Sequence, residues 1–143
     1  VRLRTLLPAV APVSAVLLAA LVALSGFGGT GGNRRAPATC AVSYRITDQW
    51  MGGFTSVVTV INTTDVPIDG WTLSWTFPNG QSALKVWNGT ASTDGDAVTV
   101  HNTADNEVLA PAATAVLGFT GAAGSHNDLP ADFQLNGRRC TLA

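Results

Sequence analysis

The sequence predicts an all-β fold, an antiparallel β-sandwich of the immunoglobulin-like or jelly-roll type closed by a bond between its ends. Three observations carry this. From Cys40 onward apolar residues recur with a period of two, turn-forming residues separate the runs, and the two cysteines, Cys40 and Cys140, stand at either end of this region. Short alternating runs bounded by Gly, Pro, Asn and Asp fit sheets with one buried and one solvated face. Many such runs at regular spacing read as two packed sheets.

The elements follow in chain order. Arg2 and Arg4 precede an uncharged stretch whose densest part is Val13 to Leu24, and small residues follow. This is the layout of a secretory signal. Ala23-Leu24-Ser25 suits cleavage after Ser25, giving a signal peptide over residues 1–25, with Ala36-Pro37-Ala38 as a second choice. An uncleaved anchor is the rival, but the apolar run is short for a span and Pro8 and Pro12 interrupt its extension. Pro37-Ala38-Thr39 ahead of Cys40 does not suit a lipoprotein. Residues 26–38 are Gly-rich and read as a flexible linker, leaving residues 39–143 as the folded module.

Within the module, Val42, Tyr44 and Ile46 alternate with polar neighbours, and Phe54, Ser56, Val58 and Val60 do the same, with Val57 and Ile61 on the opposite phase. Trp71 to Phe77 is the clearest strand. Trp71, Leu73, Trp75 and Phe77 share one face, and Thr72, Ser74 and Thr76 share the other, so Trp71 and Trp75 belong to the core. Val98 and Val100, then Ala115, Leu117 and Phe119, then Phe133 and Leu135 continue the pattern. Turns fall at Asn62-Thr63-Thr64-Asp65, Pro78-Asn79-Gly80, Asp94-Gly95 and Asn136-Gly137. No segment reads as a helix.

Trp50 and Trp87 stand apart. Neither lies on an apolar alternating face: Trp50 sits between two strands in Asp48-Gln49-Trp50-Met51-Gly52, and Trp87 sits beside the Asn88-Gly89 turn signal. Each alone reads equally as a cap on the core. Two such rings on one small domain point instead to a binding surface.

In an oxidising compartment Cys40 and Cys140 pair and tie the first strand to the last. A metal or nucleophile role is the alternative, but with His101 and His126 they show no zinc-ligand spacing. The region after Cys40 holds four bases against nine acids, leaving it at −5, which argues against nucleic acid. Charged residues make up only 12% of the chain, so a neutral hydrogen-bonding surface faces solvent and suits a neutral partner. Glu107 is the only glutamate and the aspartates sit mostly in turns. No facing pair of carboxylates, Ser-His-Asp grouping or phosphate loop stands out, so no catalysis, cofactor or metal is expected.

These residues also resemble the family 2 carbohydrate-binding modules, the bacterial cellulose-binding type. The likeness runs from Cys40-Ala41-Val42 through Gln49-Trp50-Met51-Gly52-Gly53-Phe54 and Val58-Thr59-Val60-Ile61-Asn62 to Gly70-Trp71-Thr72-Leu73-Ser74-Trp75-Thr76-Phe77-Pro78. It continues in Trp87-Asn88, Gly118-Phe119-Thr120-Gly121, Phe133-Gln134-Leu135-Asn136-Gly137 and Cys140. It implies a β-sandwich with exposed aromatics on one sheet, Trp50 and Trp87 as two surface rings stacking on pyranoses, and Cys40 and Cys140 as a terminal disulfide. A small residue at Gly53 goes, in this family, with a first ring lying flat, which favours cellulose over xylan, with chitin a similarly flat alternative. Asp105 stands where many relatives have a third ring, which implies weaker binding.

The resulting expectation is a secreted, extracellular, monomeric, non-catalytic polysaccharide-binding module, with no nucleic-acid partner and no membrane contact after signal cleavage. Trp50 and Trp87 carry the contact, with Gln49, Lys85, Asn88 and Asp48 as polar candidates beside them. Two further readings remain: the binding end of a longer glycoside hydrolase, and a surface or adhesion sandwich with a protein partner.

Overall fold

The computed structural model describes residues 36–143. The expected signal peptide over 1–25, and all but the last three residues of the expected linker over 26–38, lie outside them. The strands are β1 (Cys40–Trp50), β2 (Gly53–Asn62), β3 (Ile68–Asp69), β4 (Thr72–Thr76), β5 (Ser82–Trp87), β6 (Thr90–Asp94), β7 (Ala97–His101), β8 (Val108–Leu109), β9 (Thr114–Ala122), β10 (Gln134–Leu135), β11 (Arg138–Arg139) and β12 (Thr141–Leu142), with one 3-10 turn at Ala104–Asn106. They form two five-stranded sheets, in the orders β12-β1-β2-β9-β5 and β11-β10-β4-β7-β6, and a small β3-β8 pair. The ladders are antiparallel except between β1 and β12. The fold is the expected all-β sandwich.

The alternating pattern sets the inside. Phe54, Val58 and Val60 of β2 and Leu117 and Phe119 of β9 face Leu73 and Trp75 of β4 and Val98 and Val100 of β7, all buried. Trp75 stacks on Phe119 with centroids 5.7 Å apart, and Phe54 meets Phe119 edge-on. Trp71 and Phe77 flank β4 rather than belong to it, yet both are buried as expected. The Trp71 indole N–H donates to the Asn106 carbonyl at 2.8 Å, which satisfies its one polar atom and pins the 3-10 turn.

Cys40 and Cys140 form a disulfide. It joins the start of β1 to the residue before β12, and the two strands pair directly alongside. Asn62, fully buried at the end of β2, donates its side-chain amide to the Val66 and Leu109 carbonyls and accepts from the Thr64 N–H. One side chain thus fixes the β2–β3 connection that was expected as a turn.

Two strands depart from the sequence pattern. β5, Ser-Ala-Leu-Lys-Val-Trp, carries a register shift between Ala83 and Lys85 that breaks its alternation. β6, Thr-Ala-Ser-Thr-Asp, is an edge strand with every residue exposed, so it has no apolar face to reveal it.

Candidate functional site: two indoles seated on glycines

Both unassigned tryptophans lie on the outer face of the β12-β1-β2-β9-β5 sheet. Alternation alone would not place them there. In β1, Val42 is core, and Tyr44 and Ile46 pack against the core, so the same phase would carry Trp50 inward. A bulge between Ile46 and Asp48 inserts Thr47 as an extra residue. Ile46 pairs with inward Ser56, while Asp48 pairs with outward Thr55 and Trp50 with outward Gly53. In β5 the same device recurs. Ala83 packs against the core and pairs with Gly121, but Leu84 is bulged, so Lys85 pairs with Thr120 and Trp87 with Gly118 on the outer face. A bulge re-aims every side chain beyond it, and here each one brings a tryptophan out. Trp50 is 47% exposed and Trp87 39%.

Each ring rests on a glycine across the ladder. A β-carbon built on Gly53 would lie 2.5 Å from Trp50 Nε1, with Cε2 and Cζ2 close behind. A β-carbon on Gly118 would overlap the same three atoms of Trp87. The indoles therefore occupy the space where side chains at 53 and 118 would stand. Trp50 reaches from β1 over β2, and Trp87 reaches from β5 over β9, so the rings lie above the two adjacent strands β2 and β9. Gly53 pairs with Ala122, and Gly118 with Val57. The seats are thus four residues apart along the strands and one strand apart across them, roughly 14 Å at ordinary strand spacings.

One cross-strand row lies between them. Asp48 pairs with Thr55, Thr55 with Thr120, and Thr120 with Lys85. Two hydroxyls therefore occupy the middle of the face, with an exposed carboxylate at one end and an exposed ammonium at the other. The other two polar candidates are placed differently. Gln49 pairs with inward Phe54 and so falls on the phase opposite to Trp50. Asn88 takes a left-handed backbone (φ 59°), donates its amide to the Val116 carbonyl at 3.1 Å and offers its own carbonyl to Asn106 Nδ2 at 2.7 Å. Its side chain holds the β5–β6 turn onto β9. The Asn106 contact also sets the 3-10 turn, with exposed Asp105 in its middle, beside the Trp87 end of the face.

Gly118 is the candidate-site residue that sequence reading missed. It entered only as part of the Gly118-Phe119-Thr120-Gly121 run. The available signal was a glycine inside a strand on the solvent phase, between buried Leu117 and Phe119, which marks close approach of another group.

A family model described as a cellulose binding domain matches residues 40–140. The chain belongs to that family. Endoglucanase CelA of Streptomyces lividans is 42% identical over 127 residues, covering 87% of this chain and 28% of its own length. The solution structure of the chitin-binding domain of Chi18aC from Streptomyces coelicolor superposes with a TM-score of 0.59 at 32% identity, covering 71% of this chain and 94% of that one. The cellulose-binding family 2 domain of ScLPMO10C gives a TM-score of 0.54 at 31% identity, covering 73% and 97%. The domain is a carbohydrate-binding module with an aromatic face, and it spans 28% or less of the length of the first curated relatives it matches. Among the described residues, no group of His, Cys, Asp and Glu could hold a metal ion, and no helix is long and apolar enough to cross a membrane.

Proposed function

We propose that this domain adsorbs to a flat β-linked glycan, cellulose first, by stacking Trp50 and Trp87 on pyranose rings, and that it catalyses no step itself. The observation that carries the reading is the pair of half-open indoles seated on Gly53 and Gly118 of neighbouring strands. The seats hold both rings close to one sheet, so a straight chain laid along β2 and β9 meets both. Thr55, Thr120, Lys85 and Asp48 lie between the rings and offer donors and acceptors to sugar hydroxyls. Chitin is the second reading, favoured by the likeness to a chitin-binding domain. Export to the cell exterior fits an insoluble substrate. The small share of each relative that the domain spans favours the same role as an anchor within a longer enzyme.

The test is retention on microcrystalline cellulose and on chitin, comparing wild type with W50A, W87A and the double variant. Wild type is retained and the double variant stays in the supernatant, with no reducing sugar released by either. Equal retention of all four proteins would sink the stacking mechanism. Release of sugar by the purified domain would sink the non-catalytic reading.

A further inference from the structure

Gly118 occupies the interior of β9, the strand hydrogen-bonded to both β2 and β5. Glycine weakens a strand interior, so its presence asks for a cause. Conformation is not that cause, because Gly118 is absent from the glycines with positive φ. Nor does the core require it, since its β-carbon would point to the outer face, opposite to Leu117 and Phe119. What a β-carbon there would meet first is the Trp87 indole: Cζ2, Cε2 and Nε1 are its three nearest atoms, all inside van der Waals contact. Gly121 differs, since its β-carbon would meet buried Phe54 and the Ser82 carbonyl.

We infer that Gly118 is the positioning residue for Trp87, its missing side chain setting the height and tilt at which the indole meets the ligand. This rests on the polysaccharide reading above. Trp87 ends the edge strand of its sheet and is 39% exposed, so a side chain at 118 displaces the ring into solvent rather than the strand. Trp50 stays on Gly53, and the two rings no longer meet a flat surface together. Binding and stability then move in different directions. A β-carbon restores ordinary strand character to β9, while the shared contact surface is lost.

The experiment uses the whole chain and four variants: G118A, G118V, W87A and G118V/W87A. Adsorption isotherms on microcrystalline cellulose, thermal unfolding and the NMR resonances of the tryptophan Nε1–H groups are measured for each. G118V is expected to bind at least about tenfold more weakly, with an unchanged or raised Tm. The double variant is expected to be no weaker than W87A alone, because both substitutions remove the same contact. In G118A the Trp87 Nε1–H resonance shifts and those of Trp71 and Trp75 stay. Wild-type adsorption by folded G118V overturns the inference, as do additive losses in the double variant or an unmoved Trp87 resonance in G118A. If W87A adsorbs like wild type, the polysaccharide reading fails while the Trp87 resonance still decides whether Gly118 seats the ring. Should G118V fail to fold, G118A decides on the same measurements.

Discussion

Removing one ring gives the sharpest measure of the mechanism. In W87A, the part of the indole that rests on Gly118 was already covered, so the loss to binding comes from the exposed part. A pyranose stacked on that part removes about 100 Å² of apolar surface from water, worth about 2.5 kcal/mol at the usual coefficient. That is a loss of roughly 70-fold in affinity. With both rings the stacking term is about 5 kcal/mol before ordering costs, near millimolar for a single chain, so one ring leaves little measurable adsorption. The fold loses much less. Trp87 lies outside the buried core and ends an edge strand, so W87A should cost about 1 kcal/mol or less. A depletion isotherm on microcrystalline cellulose reads the first quantity and urea unfolding of the same preparations reads the second. High salt should leave the isotherm nearly unchanged, because stacking is not screened. A fall of less than about threefold in adsorption, or a stability loss as large as the binding loss, would refute the reasoning.

The core predictions run the other way. Trp71 is 1% exposed and its N–H donates to the Asn106 carbonyl, so W71A should lower stability by about 3–5 kcal/mol, read as a lower urea midpoint at unchanged slope. Tyr44 is the sole tyrosine, and burial pushes its phenol from 10.0 up to about 12. The unfolded chain ionises first, so stability is full below pH 10 and falls as pH rises toward 12. Tm against pH should show that decline and Y44F should lessen it, while tyrosinate absorbance should appear only toward the upper end of the window. The Cys40–Cys140 bridge closes a separation of 100 residues, worth about 4.7 kcal/mol in the chain-entropy model. Unfolding of the C40S/C140S variant should show a loss of that order, and an unchanged Tm would place the constraint in the β1–β12 pairing instead.

What the sequence made legible depended on contrast between the faces of each strand. β4 was plain because Leu73 and Trp75 are buried while its alternate residues carry small hydroxyls. β2 and β9 showed the same buried phase, Phe54, Val58 and Val60 and then Ala115, Leu117 and Phe119, although Val57, Ile61 and Val116 stand on the other face. β6 was invisible because an edge strand exposed along its whole length has no buried face to write a period into the chain. The paired segments β3, β8, β11 and β12 are two residues each, too short for any period, whereas β10 showed through Leu135 and, just before it, Phe133. Leu109 is buried in β8, but a single buried residue carries no alternation.

The site was legible only as an interruption. Trp50 and Trp87 stood out because they broke the pattern, and the structure shows why it breaks: Thr47 in β1 and Leu84 in β5 are each one residue too many. A strand that lines the core cannot also present an aromatic outward on the same phase, because the side-chain period is fixed at two. One inserted residue resolves the conflict, and both ring-bearing strands use it. The extra residue leaves the inner half of each strand packed and turns only the distal end, so Tyr44 and Ile46 in β1, and Ala83 in β5, keep their contacts with the core. The glycines complete the arrangement. An outward indole with a side chain beneath it would be propped away from the sheet, and at Gly53 and Gly118 nothing props it. Deleting Thr47 or Leu84 would therefore close the bulge with Trp50 still opposite Gly53 and Trp87 still opposite Gly118 on the outer face, so both deletions should keep adsorption to cellulose, unlike substitutions of the rings themselves.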